Sequence, residues 1–331
     1  MTEAEILNAI EGLEPALQRA YLDKVRAVTD AAVVAEIERY IDARDEDSIV
    51  EALSLGLLAL FLEQVRAAYI AGATLEIRQL PRALGAEFDG LGAAPASWLA
   101  QNAGAIQRES AEATRLAVRH TIQTADLLGQ SARRTALDLI GRRSAQTGER
   151  TGGVVGLPGN YAQFVANARV QLLSGDPVQM RQYLTRLKRD RRFDRTVQKA
   201  TEAGRPVAQA DVDRITGRYA ERLLLMHAQT LGETQAHSAF HAGRDQVFEQ
   251  LVGEGIERHR IIKEWHTVRD ERVRHSHAAM QGQKQQLGSP FVSGAGAQLM
   301  YPGDDSLGAG DAEIIHCRCW AEYTIGGPRA R

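Results

Sequence analysis

Apolar positions recur at helical spacing from the first residues of the chain. Thr2 followed by Glu5 has the form of a capping box, and Ile6, Ile10, Leu13 and Leu17 then line one face, so a helix is predicted at once. Pro15 is expected to end or kink it. The same period returns in Val33, Ile37, Tyr40 and Ile41, and again in Ile49, Leu53, Leu57, Leu60 and Phe61, with the acidic stretch 42–47 as a turn or helix start between them. The most apolar run, Leu53 to Leu62, has about half of the roughly 20 residues a membrane span requires, and is read as a buried helix segment. A further long helix is predicted from Ser97 through Leu139, with Ile106, Ala113, Val118, Ile122 and Leu128 on its apolar stripe.

The clearest break is Ser144 to Asn160, where Gly, Pro, Ser and Thr displace helix formers, and a hinge is expected there. Helical patterns resume at Tyr161, with interruptions at Gly175-Asp176-Pro177 and Gly204-Arg205-Pro206, and lead into a long segment from Asp211 to about Leu251. Beyond Trp265 glycines crowd the chain, and short apolar pairs such as Phe291-Val292 and Ile314-Ile315 read as strands or loops. The pattern predicts a mostly α protein, with a helical N-terminal region followed by a small α+β C-terminal domain. Its expected division is a helical region 1–143, a hinge 144–160, a helical middle region 161–260 and a C-terminal domain 261–331.

Composition refines this only locally. Richness in Ala, Leu, Arg, Glu and Gln with 5% aromatics favours helix, and 331 residues suffice to bury a core without covalent staples. A net charge of −2 gives no whole-molecule argument for a polyanion partner, so any such argument must rest on a local patch. The first residues are acidic and amphipathic, unlike a signal peptide, and are read as mature protein, and with no disulfide framework expected this fits assembly in a reducing bacterial cytoplasm. The two cysteines, Cys317 and Cys319, are too close for a strain-free mutual disulfide.

The C-terminal region carries an ordered set of motifs. These are Trp265, then Asp270, Arg272, Arg274, His275 and His277, then Gly282-Gln283, then Phe291, then Tyr301-Pro302-Gly303-Asp304, and finally Cys317-Arg318-Cys319. In order and spacing this set resembles the signature of the Mu F-like head-morphogenesis family of tailed bacteriophages, over the last fifth to quarter of the chain. The family's usual Asn before Cys-Arg-Cys is His316 here. The resemblance implies a low-copy minor head protein acting in capsid assembly, associated with the portal or inner capsid, with the helical region as its docking part. It also implies a place inside the virion after assembly in the host cytoplasm, and no required cofactor. Some proteins of the family are fused to toxin domains; with only a short stretch following Cys319, none is expected here.

The same residues allow other chemistry. His275, His277, Cys317 and Cys319 supply two imidazoles and two thiols, a donor set suited to tetrahedral zinc, and the His-x-His and Cys-x-Cys spacings suit strands whose alternate side chains share a face. Against a metal stands a buried hydrogen-bonded cluster of His277 and Asp270 with Arg272, Arg274 or Arg318, the cysteines being small core residues. An enzyme, nuclease-like or a transferase, would need one of the cysteines with His277 and Asp270, yet no recognised catalytic motif surrounds them, and catalysis is not expected. His237 and His241, four apart on a helix, read as a solvated face. Arg186, Lys188, Arg189, Arg191, Arg192 and Arg195 form the densest basic run, suited to packaged DNA or an acidic partner, or simply to a solvated helix.

Overall fold

The computed structural model describes residues 2–56, 58–145 and 147–326. Leu57, counted above in an apolar stripe, Gln146 of the expected hinge and residues 327–331 of the expected C-terminal domain lie outside the described residues. The chain is mostly α-helical with a small C-terminal sheet region. In order, the helices are α1 (Glu3–Glu11), α2 (Glu14–Ala31), α3 (Val34–Asp42), α4 (Glu46–Ala52), α5 (Ala59–Ile77), α6 (Ala93–Leu127) and α7 (Ala132–Ile140). A two-residue hairpin, β1 (Arg142–Arg143) with β2 (Arg150–Thr151), precedes α8 (Gly159–Leu173), α9 (Pro177–Leu184), α10 (Asp194–Glu202) and α11 (Gln209–Gly253). The C-terminal part holds β3 (Ile261–His266), α12 (His275–Ala278), β4 (Lys284–Gln286), β5 (Phe291–Val292), β6 (Gln298–Leu299), α13 (Asp311–Ile314) and β7 (Trp320–Ile325). Among the described residues, no helix is long and apolar enough to cross a membrane.

Local chemistry explains where the helices begin and end. Thr2 accepts from the Glu5 amide while the Glu5 carboxylate accepts from the Thr2 amide, completing the capping box. Pro15 neither ends nor kinks a helix: α1 stops at Glu11, and the proline falls in the first turn of α2, where its missing N–H costs nothing. The apolar run from Leu53 is not one helix segment. Its first part connects α4 to α5, with Gly56 at φ +53°, and buries Leu53, Leu55 and Leu58, while from Ala59 the run is the first turn of α5, where Phe61 is buried. The helix expected to reach Leu139 is two, because Gly129 turns left-handed after α6 and Ser131 caps α7.

The chain forms two compact units that are interleaved along the sequence. One contains residues 1–20, 59–103 and 229–331, and the other residues 21–58 and 104–228. The expected sequential division at 144–160 is therefore corrected: that segment lies wholly inside the second unit. It is also no bare linker, since Ser144 closes the β1–β2 hairpin on Glu149, and Val154, Val155 and Leu157 are buried. Apolar anchors within a Gly-rich stretch fix it despite its composition. The second unit is further held by a buried ion cluster in which Arg169 donates to Asp138 at 2.6 Å and to Asp213 at 2.7 Å.

In the first unit α5 crosses α11 at almost bare backbone. A Cβ on Gly72 would lie 2.0 Å from the Phe240 carbonyl oxygen, and one on Gly243 would lie 1.9 Å from that of Tyr69. Ala68, Ala73, Ala236 and Ala239 are buried around this crossing. The sheet order is β4-β3-β7, all antiparallel, with Ile261 opposite Ile325 and His266 opposite Trp320. Its inner face feeds two clusters. Phe248, Leu251, Ile261 and Leu287 form one, and Trp265, Met280, Phe291, Leu299, Cys317, Cys319 and Ala321 the other.

At the start of α2, Glu14 is partly buried beside Glu233 and Glu11, and burial followed by these like charges raises its carboxyl to about 7. In the unfolded chain it ionises near 4.5, so between these values only the folded state holds the proton, and stability falls as pH rises through that window. Glu14→Gln should match the parent at pH 4 and exceed it at pH 8. Discounted for screening at a partly exposed site, the gain is about 1 kcal/mol, or about 2 °C in Tm. Equal melting at both pH values would remove this strain from the account.

Candidate functional site

The C-terminal motif residues converge because the elements carrying them wrap one small core. Trp265 leaves β3 fully buried, and its indole meets the His277 ring edge-on with centroids 5.3 Å apart. His277 sits on α12, also buried, and its Nδ1 lies 3.5 Å from Cys317 Sγ and 3.4 Å from Cys319 Sγ. Both cysteines lie in the irregular segment that enters β7, and both are buried. Arg318 between them turns outward and donates to Asp270 Oδ1 at 2.6 Å. This bond, reinforced by the Arg272 amide, holds the Asp270 carboxyl at about 2.

His277, Cys317 and Cys319 thus bring three metal-ligating atoms within 4.8 Å of one another, all from buried residues. His275 is not part of the group. The His-x-His pair lies on a helical turn rather than a strand, so side chains two apart point to nearly opposite sides, and His275 is exposed. Glu313 on α13 was not singled out by the sequence; it is buried, with Oε2 3.0 Å from His277 Nε2. The imidazole therefore faces sulfur on one edge and a carboxylate on the other. A hydrogen bond between the two thiols, with His277 and His237 nearby, holds Cys317 well below the usual thiol range, and the same contact together with burial pushes Cys319 up.

The chain matches no protein-family model, no curated protein and no solved structure.

The remaining motif residues build the walls. The Arg274 guanidinium donates to the Ala312 and Ile315 carbonyls, tying the start of α12 to α13. Arg272 stays exposed and reaches only Asp270. The Gly282 amide donates to the Trp265 carbonyl at 2.8 Å. Tyr301 accepts from Trp98 Nε1 at 2.8 Å, Pro302 is buried beside it, and buried Asp304 accepts from the Met300 amide at 2.7 Å. Gly303, at φ +84°, comes so close to α11 that a Cβ would stand 2.7 Å from His237 Nδ1.

His237 and His241 are not a solvated face. Both are buried, their rings 4.6 Å apart, and His237 Nε2 donates to the Cys319 carbonyl at 2.9 Å. Burial, followed by the neighbouring His237 and Arg244, keeps His241 neutral well below the usual imidazole range. A lone pair of histidines four apart gives no sign of burial, because the partner lies 82 residues away. His316 adopts φ +58°, a left-handed position that Asn and His tolerate better than most residues. Its Nδ1 also lies 2.9 Å from Glu233 Oε2.

The basic run belongs to the second unit and divides in two. Arg186 donates to Gln171 Oε1 and packs over the Tyr219 ring, Arg189 is paired with Asp194 at 2.9 Å, and Arg192 with Asp190 at 2.6 Å. Lys188, Arg191 and Arg195 are exposed and have no ion-pair partner among the described residues.

Proposed function

We propose that this chain is a minor head protein of a tailed bacteriophage, acting in head morphogenesis as a low-copy part of the particle next to the portal or inner capsid. The observation that carries the reading is the convergence of the signature. Trp265, His277, Cys317 and Cys319, spread over more than fifty residues, meet in one buried cluster, and Arg274, Gly282 and Gly303 close its walls. A set of motifs assembled by chance has no reason to share a core. The helical elements offer the amphipathic surfaces that a capsid or portal partner would need.

The cluster is further read as a structural zinc site. Ordinary Zn–N and Zn–S bonds at a tetrahedral angle put ligand nitrogen and sulfur about 3.6 Å apart. The His277 Nδ1 to sulfur distances of 3.5 and 3.4 Å fit that spacing. Two thiolates and an imidazole favour zinc over magnesium or calcium, and the Glu313 carboxylate lies 3.0 Å from the far nitrogen of His277, on the side away from the sulfurs. The ion would cross-link α12 and the segment entering β7.

Association with head components tests the role. The purified chain mixed with the portal and the major capsid protein of the phage that encodes it should co-sediment with one of them. Failure to associate with either, by a chain that keeps its folded spectrum, counts against the assignment.

A further inference from the structure

The helical hairpin of α9 and α10 carries charge that its own fold does not use. Between 176 and 205 nine Lys and Arg face four Asp and Glu, a net +5 in a chain whose total is −2. Three of the four acids are engaged. Asp176 caps α9 by accepting from the Val178 amide, Asp194 takes Arg189, and buried Asp190 takes Arg192 and, at 3.5 Å, Arg222. Glu202 alone remains. Arg181, Lys188, Arg191, Arg195, Lys199 and Arg205 are all exposed, and none makes an ion pair among the described residues. The connection bearing Lys188 and Arg191, which leads into Arg195 at the start of α10, is held from both sides, by Arg186 on Gln171 and by the Arg189 carbonyl accepting from Arg222. The free cations are therefore displayed on a fixed framework.

We propose that this hairpin is a sequence-independent grip for the phosphate backbone of duplex DNA. Arg181, Lys188, Arg191, Arg195, Lys199 and Arg205 make the contacts, and Arg186, Arg189 and Arg192 shape the support. Arg195 and Lys199, four apart on α10, share one exposed helix face. Four of the six are arginines, whose planar forks suit phosphate oxygens. Val178 and Leu187 are exposed on the same hairpin, but the six unpaired cations dominate its surface, which argues for a polyanion partner. This inference stands on the hairpin alone and survives if the head-protein reading fails.

The test measures binding of the full chain to a fluorescent 30-base-pair duplex of arbitrary sequence across a salt series. Six phosphate contacts predict that the logarithm of the binding constant falls with that of salt at a slope of about −5. The triple variant K188E/R191E/R195E should bind at least about tenfold more weakly at 50 mM salt, with roughly half the slope, and unchanged melting. The neutral variant K188Q/R191Q/R195Q should fall between, and serves if charge reversal harms folding. A second duplex of unrelated sequence should bind equally. Wild-type affinity and slope in the variants, or no binding by the parent at 50 mM salt, overturns the proposal. Displacement of the duplex by poly-L-glutamate at equal charge concentration would assign the surface to acidic proteins and overturn it too.

Discussion

Gly243→Ala is expected to destabilise the first unit by at least about 3 kcal/mol, a fall in Tm of about 6 °C or more. In an open helix this change favours folding by up to about 1 kcal/mol, because alanine loses less backbone freedom. Here the new methyl would stand 1.9 Å from the Tyr69 carbonyl oxygen, and backbone cannot swing aside as a side chain can. Gly72→Ala makes the reciprocal clash with Phe240 and should behave alike. Gly253, at the end of α11, has nothing within 4 Å of an added methyl and is the control, with Gly253→Ala neutral or stabilising. Melting followed by tryptophan emission reads the right unit, since Trp98, Trp265 and Trp320 all lie in it. Equal melting of the Gly243 and Gly253 variants would show that the helices do not cross as described.

The second large effect concerns the His277, Cys317 and Cys319 cluster. Protein purified without an affinity tag should carry close to one equivalent of zinc by elemental analysis. An ion bound with a thousandfold excess over its dissociation constant stabilises by about 4 kcal/mol, so a chelator should lower the tryptophan-monitored Tm by about 8 °C. Because the ligands must lose protons, uptake should release protons and weaken as pH falls. Cys317→Ser should lose both the metal and the chelator effect, whereas His275→Ala should keep both, since His275 lies outside the cluster. Less than a tenth of an equivalent, with melting indifferent to chelator, would leave packing of Trp265, Cys317 and Cys319 as the whole source of cohesion.

Much of the helical framework was legible in the sequence because it depends on local pattern. The segment expected from Asp211 to about Leu251 is α11, and both predicted interruptions, at Gly175-Asp176-Pro177 and Gly204-Arg205-Pro206, separate helices. What failed depends on distant partners. The interleaving of the two units arises from contacts between residues far apart in sequence, which periodicity does not encode. The stretch 144–160 has a hinge's composition, but three buried aliphatic residues outweigh it.

The site was half legible for a related reason. Cys-x-Cys and His-x-His have the same spacing, yet the second lies on a helical turn, where side chains two apart point to nearly opposite sides, so only His277 of the pair joins the two cysteines. Glu313 gave no signal among the acidic residues near it, and became visible only when α13 brought it to His277. The basic run looked uniform because its neutralising partners are read in space: Arg222 reaches Asp190 from thirty-two residues away.

Mass spectrometry of purified virions and proheads tests the assignment to phage heads most directly. In a phage that expresses this chain, the account predicts its presence in the particle at far fewer copies than the major capsid protein. Its consistent absence from both virions and proheads would contradict the account.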